Sequence, residues 1–195
     1  MNVQDRPAAG GTPPPPGRRR TALISAAVVG VVLVLLVVVL ATRKPASTDP
    51  HNSALVGQPA PVLEGRYVQG NRVEMGDGSH FVVVNFFAAW CTTCVQEHPQ
   101  LKAFEAEHAR TGDATLVSVV AGDTKANARD FFHANGGGWP VVYDADGRTA
   151  VAYGMIKVPE TYVVDPAGTV IYKFSAGVTK DALDSLIAQA KRQGA

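Results

Sequence analysis

The chain has 195 residues, 46% of them apolar, and a formal net charge of +1. This length and composition fit one globular domain with an appendage and exclude a wholly disordered chain. Residues 51–195 carry twelve Lys or Arg against fifteen Asp or Glu, a net charge of −3, so no nucleic-acid partner is predicted.

The N-terminal region predicts a single membrane anchor. Residues 1–20, with four consecutive prolines, are predicted to be a disordered cytoplasmic tail. Residues 21–41 contain no charged residue, and as a helix they would span about 30 Å, the thickness of a bilayer core. Three arginines precede this segment, and only Arg43 and Lys44 follow it closely. The excess places the N-terminus in the cytoplasm and the rest of the chain outside.

Two other interpretations of this apolar segment fit its residues less well. A cleaved signal peptide would have a shorter apolar stretch, of roughly 7–15 residues, and small neutral residues at its cleavage site. Arg43 and Lys44 occupy that position here, and no cysteine follows the segment for lipid attachment. We therefore expect an anchor at 21–41, a polar linker at 42–54 and a folded domain at 55–195.

The first half of this domain predicts a hairpin, a strand, a helix and a second strand. Weak alternation over 63–75 predicts a short N-terminal β-hairpin. The continuous apolar run at 81–87 is typical of a strand that is buried on both faces. Residues 92–110 have helical spacing, and 115–120 predict a second buried strand.

The second half continues the alternation and ends in a hairpin and a helix. We predict a helix that begins at Thr124, a strand at 141–143 and a short helix between Gly147 and Gly154. Strands on either side of the turn at 165–168 form a hairpin, and Thr179 caps a final helix. This order predicts an α/β fold with a mixed central β-sheet flanked by helices.

The two cysteines lie where the buried strand passes into the helix, in Trp90-Cys91-Thr92-Thr93-Cys94. At a helix N-terminus, unpaired backbone N–H groups and the helix dipole stabilise a thiolate. The thiolate is the attacking species in disulfide exchange. Cys91 is therefore the predicted nucleophile, and Cys94, one turn later, is the predicted resolving thiol.

Other uses of two cysteines are weaker. A zinc site would need His98 and His108 as further ligands, but a helix would separate them by almost three turns, on different faces. A structural disulfide across so short a loop would stabilise little. A peroxiredoxin pattern would require proline and threonine where Val84 and Ala88 stand. No metal or cofactor is predicted.

Several motifs together resemble a known family. Residues 86–94 with Pro99 resemble the active-site strand and kinked helix of thioredoxin-fold proteins, and residues 158–162 resemble their cis-proline loop. Residues 56–61, 97–99 and 159–161 are similar to the TlpA/ResA/CcmG (DsbE) branch. That branch consists of membrane-anchored, extracytoplasmic reductases, several of which serve cytochrome c maturation. The resemblance covers about residues 55–187.

The resemblance implies a thioredoxin-like fold and roles for residues around the dithiol. Pro159 would be cis, a form almost confined to proline, and would leave the backbone of Val158 free to pair with an extended substrate. Trp90 would pack beside Cys91 and screen it. Trp90, Val158 and Glu160 are the substrate-binding residues that the resemblance implies.

Two acidic residues are also implied in the site. Ordinary thioredoxins bury an aspartate where this chain has Asn85, which cannot accept a proton, so Glu97 is the candidate for proton transfer. Glu160 would either add negative charge beside the thiols or contact only solvent. Acidic surroundings raise thiol pKa values and disfavour a strongly oxidising site.

The predicted function is therefore an extracytoplasmic thiol–disulfide oxidoreductase that reduces protein disulfides such as those of apocytochrome c. A membrane electron donor of the CcdA/DsbD type would keep it reduced. Two alternatives stay open: a general disulfide oxidase or isomerase for secreted proteins, and a redox-inactive binding protein with the thioredoxin fold.

Overall fold

The computed structural model describes residues 24, 26, 28–35 and 53–194. The described residues before position 36 are helical and solvent-exposed. Within the described part of the chain, no helix has the length and apolarity needed to cross a membrane. The predicted tail, anchor and linker, residues 1–54, lie wholly or largely outside the described residues and stay predictions.

Residues 53–194 form six strands and four helices. The strands are β1 (Arg66–Gln69), β2 (Phe81–Phe87), β3 (Ala114–Val120), β4 (Val141–Tyr143), β5 (Glu160–Val164) and β6 (Val170–Phe174). The helices are α1 (Thr92–Thr111), α2 (Lys125–Asn135), α3 (Arg148–Ala152) and α4 (Lys180–Arg192). The predicted mixed sheet flanked by helices is confirmed.

The strands form one sheet in the order β1-β4-β3-β2-β5-β6. Strands β2, β3 and β4 are parallel, while β1, β5 and β6 each run antiparallel to a neighbour. Every residue of the central strand β2 is buried. Parallel strands end at the same edge of a sheet, so the loops that follow β2 and β3 lie side by side at the edge where Cys91 begins α1.

Strand β2 supplies a hydrophobic core on each side of the sheet. Phe81, Val83 and Phe87 pack in a cluster with apolar side chains of α1, α2 and α4. Val82, Val84 and Phe86 pack on the other face, in a cluster that includes Ala150 of α3. Because side chains alternate along a strand, Asn85 lies on the α1 side of the sheet. This position brings its amide under the helix that carries the cysteines.

The predicted cap Thr179 is present, and Thr124, where a helix was predicted to begin, is also an N-cap. The Thr124 hydroxyl accepts the backbone N–H of Asn127 at 3.1 Å, and the Thr179 hydroxyl accepts that of Ala182 at 3.3 Å. Such caps satisfy N–H groups that have no partner inside the helix.

The predicted N-terminal hairpin is wrong. Only its first half is a strand, and β1 pairs antiparallel with β4 in the main sheet. The amide of Gln69 donates to the carbonyls of Gly137 and Trp139 at 2.7 and 2.8 Å. At Gly70 the backbone adopts φ +69°, and a side chain there would approach Pro140 to 2.8 Å. The segment is therefore bound to the edge of the sheet instead of folding back on itself.

Candidate active site

Cys91 and Cys94 form a disulfide at the start of α1, with their Cα atoms 5.2 Å apart. Cys91 is the N-cap of the helix, and its sulfur accepts the backbone N–H of Cys94 at 3.2 Å. The predicted place of the cysteines at a helix N-terminus is confirmed. Once the disulfide is reduced, this N–H group and the helix dipole favour a thiolate on Cys91 over one on Cys94.

The histidines required by the zinc alternative have other partners. His98 donates from Nε2 to the carbonyl of Gly136 at 2.8 Å. His108 lies between Asp113 and Asp184, 2.7 and 3.0 Å from their carboxylates. Among the described residues, no three His, Cys, Asp or Glu side chains are grouped so that they would hold a metal ion.

Glu97 is buried one turn after Cys94, with only 4% of its surface exposed. Its Oε1 accepts from the Asn85 amide and its Oε2 from the Val178 backbone N–H, both at 2.9 Å. Burial raises the pKa of Glu97 to about 7, against the lowering effect of these two hydrogen bonds. A carboxyl group with this pKa gains and loses a proton near neutral pH, which suits the predicted transfer. The role itself stays a prediction.

Asn85 has a structural task at the position of the thioredoxin aspartate. It is 1% exposed, and its Nδ2 donates to both Glu97 and the Thr161 hydroxyl, at 2.9 and 3.0 Å. The hydroxyl of Ser118 lies 3.4 Å from Asn85 Oδ1 and accepts the indole N–H of Trp139 at 2.8 Å. Asn85 thus aims its donor at Glu97 and holds the carboxyl group in place.

Gly177 and Val178 belong to the site, and neither was predicted from the sequence. Val178 is 81 positions from Glu97 along the chain and donates its backbone N–H to that carboxyl. A side chain at Gly177 would lie 3.0 Å from the Thr93 methyl and 3.6 Å from Glu97 Oε2. A glycine just before a predicted helix cap was the available signal, but nothing in the sequence linked it to Glu97.

The peptide bond between Val158 and Pro159 is cis, as predicted. Pro159 is buried and Val158 is half-buried. Pairing between β2 and β5 begins at Phe86 and Glu160, so Val158 lies beyond the end of this ladder.

The expectation for Glu160 is wrong on both counts, because its carboxylate lies neither beside the thiols nor in solvent. Thr161 contacts Asn85 on the α1 side, so alternation along β5 turns Glu160 to the opposite face. Glu160 is 2% exposed. Its Oε2 lies 2.9 Å from Lys173 Nζ and accepts the Tyr162 hydroxyl at 3.1 Å.

The predicted screening of Cys91 by Trp90 stays a prediction. Trp90 is 66% exposed, so most of its surface faces solvent. Its indole N–H donates to the carbonyl of Gly122, in the turn after β3, at 3.1 Å.

The chain is similar to known proteins over most of the folded domain. The Redoxin family profile matches residues 55–188, more than half of the chain. The chain belongs to the Redoxin family. It is 28% identical over 128 residues to the thiol-disulfide oxidoreductase ResA of Bacillus subtilis, an alignment covering 65% of this chain and 71% of ResA. It is 29% identical over 140 residues to the thiol:disulfide interchange protein DsbE of Yersinia pestis, covering 68% and 71%.

A solved structure shows the same fold. A DsbF homologue from Corynebacterium diphtheriae is similar with a TM-score of 0.62 and 23% sequence identity, over 75% of this chain and 96% of that one. The predicted thioredoxin-like fold and the resemblance to the branch that contains ResA and DsbE are confirmed. The predicted enzyme class, a protein thiol–disulfide oxidoreductase, is also confirmed at the level of the family.

The raised pKa of Glu97 has a measurable effect on stability. Between its ordinary value of 4.5 and about 7, the folded chain keeps a proton that the unfolded chain releases. The contribution of Glu97 to stability therefore falls as pH rises through this window and changes no further above it. The loss reaches about 3 kcal/mol, since one pKa unit corresponds to about 1.4 kcal/mol.

Glu97→Gln is expected to remove this pH dependence. Urea unfolding of the oxidised protein at pH 5, 6, 7 and 8 gives the unfolding free energy of wild type and variant. The change with pH of the difference between the two measures the contribution of Glu97. Glu105→Gln, on the same helix and only partly buried, is the control and should leave the pH dependence unchanged. A difference between wild type and Glu97→Gln that stays constant from pH 5 to 8 would show that Glu97 does not titrate in this range.

Proposed function

We propose that this protein is a membrane-anchored, extracytoplasmic reductase of protein disulfides, such as those of apocytochrome c during cytochrome c maturation. The observation that carries the proposal is the buried carboxyl of Glu97, one turn beyond Cys94. Above pH 7 this group is negatively charged and raises the pKa values of nearby thiols. Strong disulfide oxidants have a high reduction potential because their reduced form is stabilised. A negative charge beside the thiols destabilises the thiolate and so disfavours such a potential.

The reaction starts from the dithiol form. The Cys91 thiolate attacks one sulfur of the partner's disulfide, which forms a mixed disulfide and releases the partner's other sulfur as a thiolate that takes up a proton. Cys94 then transfers its proton to Glu97 and attacks Cys91, releasing the partner's second thiolate, which is protonated in turn. Two electrons pass to the partner, and the disulfide seen in the structure is left.

The substrate in this proposal is an extended polypeptide. Val158 lies beside the end of the β2–β5 ladder, where an added strand finds main-chain donors and acceptors. A second dithiol must then reduce Cys91 and Cys94 for the next turnover. A membrane donor of the CcdA/DsbD type is the proposed source of these electrons.

The proposed location rests on the uncharged segment at 21–41 and on the arginines that precede it. In intact cells, a membrane-impermeant maleimide should label the reduced cysteines without lysis. Labelling that requires lysis would place the domain in the cytoplasm.

The reduction potential separates the proposed function from its alternatives. Equilibration of the full chain with thiol–disulfide buffers should give a value near the reducing end of the fold's range, roughly −270 mV, and far from the oxidising end near −120 mV. A potential at the oxidising end would favour a general oxidase. No measurable exchange would favour a binding protein.

A further inference from the structure

The turn that follows β3 contacts the loop leading into Cys91. The Asp123 carboxylate accepts the backbone N–H of Ala89 on Oδ2 at 2.7 Å. Its Oδ1 accepts the backbone N–H of Thr124 and the side-chain amide of Asn127, both at 2.7 Å. The preceding carbonyl, of Gly122, accepts the Trp90 indole N–H. Two residues directly before the nucleophile are thus attached to this turn.

The sheet brings the turn and the loop together. Strands β2 and β3 are parallel and in register up to Phe87 and Val120, and Ala121 donates its N–H to the Phe87 carbonyl at 3.0 Å. Gly122 then adopts φ +65°, a left-handed conformation that favours glycine. The turn therefore begins beside the loop that carries Ala89 and Trp90.

Trp90 is exposed, and its indole is hydrogen-bonded to the turn. Tryptophan is enriched among the few residues that dominate binding energy at protein interfaces. A side chain that is ordered before binding loses less conformational freedom when a partner arrives. The hydrogen bond to Gly122 orients the indole, and the contact between Asp123 and Ala89 positions the backbone that carries it.

We propose that Asp123 is a positioning residue that presents Trp90 to protein partners. It touches neither the disulfide nor the substrate, and it acts by holding the loop at 88–90. The partner is a polypeptide with an apolar or aromatic side chain next to its disulfide, which packs on the indole. Trp90 has such a partner only if Cys91 exchanges disulfides with proteins, so this inference rests on the proposed function.

Asp165 provides a matched control for the loss of a carboxylate in a turn. It is partly buried, as Asp123 is, and it accepts the backbone N–H of Thr169 at 2.8 Å. It follows Val164, which pairs with Val82 near the start of β2, so it lies at the sheet edge opposite Cys91. A purely structural role for Asp123 predicts similar effects at the two positions.

The experiment measures the second-order rate constant of the reduced full chain with insulin and with oxidised glutathione. Asp123→Ala should slow the reaction with insulin about tenfold, the effect of losing about 1.4 kcal/mol of binding energy, and change that with glutathione less than twofold. Glutathione is too small to need the indole. Asp165→Ala should leave both rates unchanged.

A double-mutant cycle tests whether Asp123 acts through Trp90. In a Trp90→Ala background, Asp123→Ala should slow insulin reduction by less than a further twofold. Asn127→Ala removes one hydrogen bond to the Asp123 carboxylate. It should slow the reaction with insulin more than that with glutathione, but by a smaller factor than Asp123→Ala does. It replaces Asp123→Ala if that variant does not fold.

Three results would overturn the inference: equal losses with insulin and glutathione, full additivity in the cycle, or an insulin rate unchanged in both Asp123→Ala and Asn127→Ala. A wild-type chain that reacts with neither disulfide would overturn the proposed function, and this inference with it.

Discussion

Cys91→Ser is expected to abolish disulfide exchange, whereas Cys94→Ser should trap the partner. Serine at position 91 leaves no thiolate at the helix N-terminus, so reduction of insulin should fall to the uncatalysed rate. Serine at position 94 keeps the nucleophile but removes the thiol that resolves the mixed disulfide. Covalent adducts of the chain with insulin should therefore accumulate, and mass spectrometry measures them directly.

The assignment of roles depends on position in the helix, because exposure does not decide it. Cys91 and Cys94 are 7% and 3% exposed, a small difference. The Cys91 sulfur accepts a backbone N–H of the first helical turn, that of Cys94. Thr93→Ser, between the cysteines, is the control and should react like wild type. Adducts that form with Cys91→Ser and not with Cys94→Ser would reverse the assignment.

The sequence alone predicted those features of the site that depend on residues close together in the chain. Cys91 lies where an apolar run passes into a helical pattern, so its place at a helix start follows from residues 81–94 alone. The order of strands and helices likewise predicted the mixed sheet. The cis peptide before Pro159 came from the family resemblance instead, because no pattern in the residues required it.

Contacts between distant segments could not be predicted from the sequence. Nothing in the chain indicated that Val178 donates to Glu97, or that Asn85 lies under the same carboxyl, since such pairs are set by how α1 packs on the sheet. Glu160 illustrates a second limit. Strand β5 is buried on both faces, so its alternation did not reveal which face the carboxylate would join. The hairpin prediction failed because the sequence did not show that β4 offered an edge to pair with β1.

Lys173→Met is expected to destabilise the domain strongly. Lys173 and Glu160 form an ion pair with side chains 8% and 2% exposed, and the ammonium also lies 5.2 Å from the centre of the Tyr162 ring. Removing one member of such a pair leaves an uncompensated charge in the core, at a cost of about 3–5 kcal/mol. That is a large fraction of the stability of an ordinary domain, about 5–15 kcal/mol.

The double variant Glu160→Gln, Lys173→Met separates the ion pair from simple packing. Because desolvation offsets most of the attraction in a buried pair, removing both charges is often nearly neutral, so much of the lost stability should return. Arg72→Met is the control: Arg72 and Glu74 are 65% and 71% exposed, and breaking that pair should cost at most about 1 kcal/mol.

Urea unfolding of all four proteins, at one pH and in the oxidised state, gives the unfolding free energies. If Lys173→Met costs no more than Arg72→Met, the Glu160 carboxylate finds another partner in the variant. Glu160 directly follows Pro159, so loss of its ion pair with Lys173 should also affect the proline loop. The rate of insulin reduction is compared between folded Lys173→Met and the folded double variant. A slower reaction in Lys173→Met would show that the unpaired charge displaces the proline loop from the thiols.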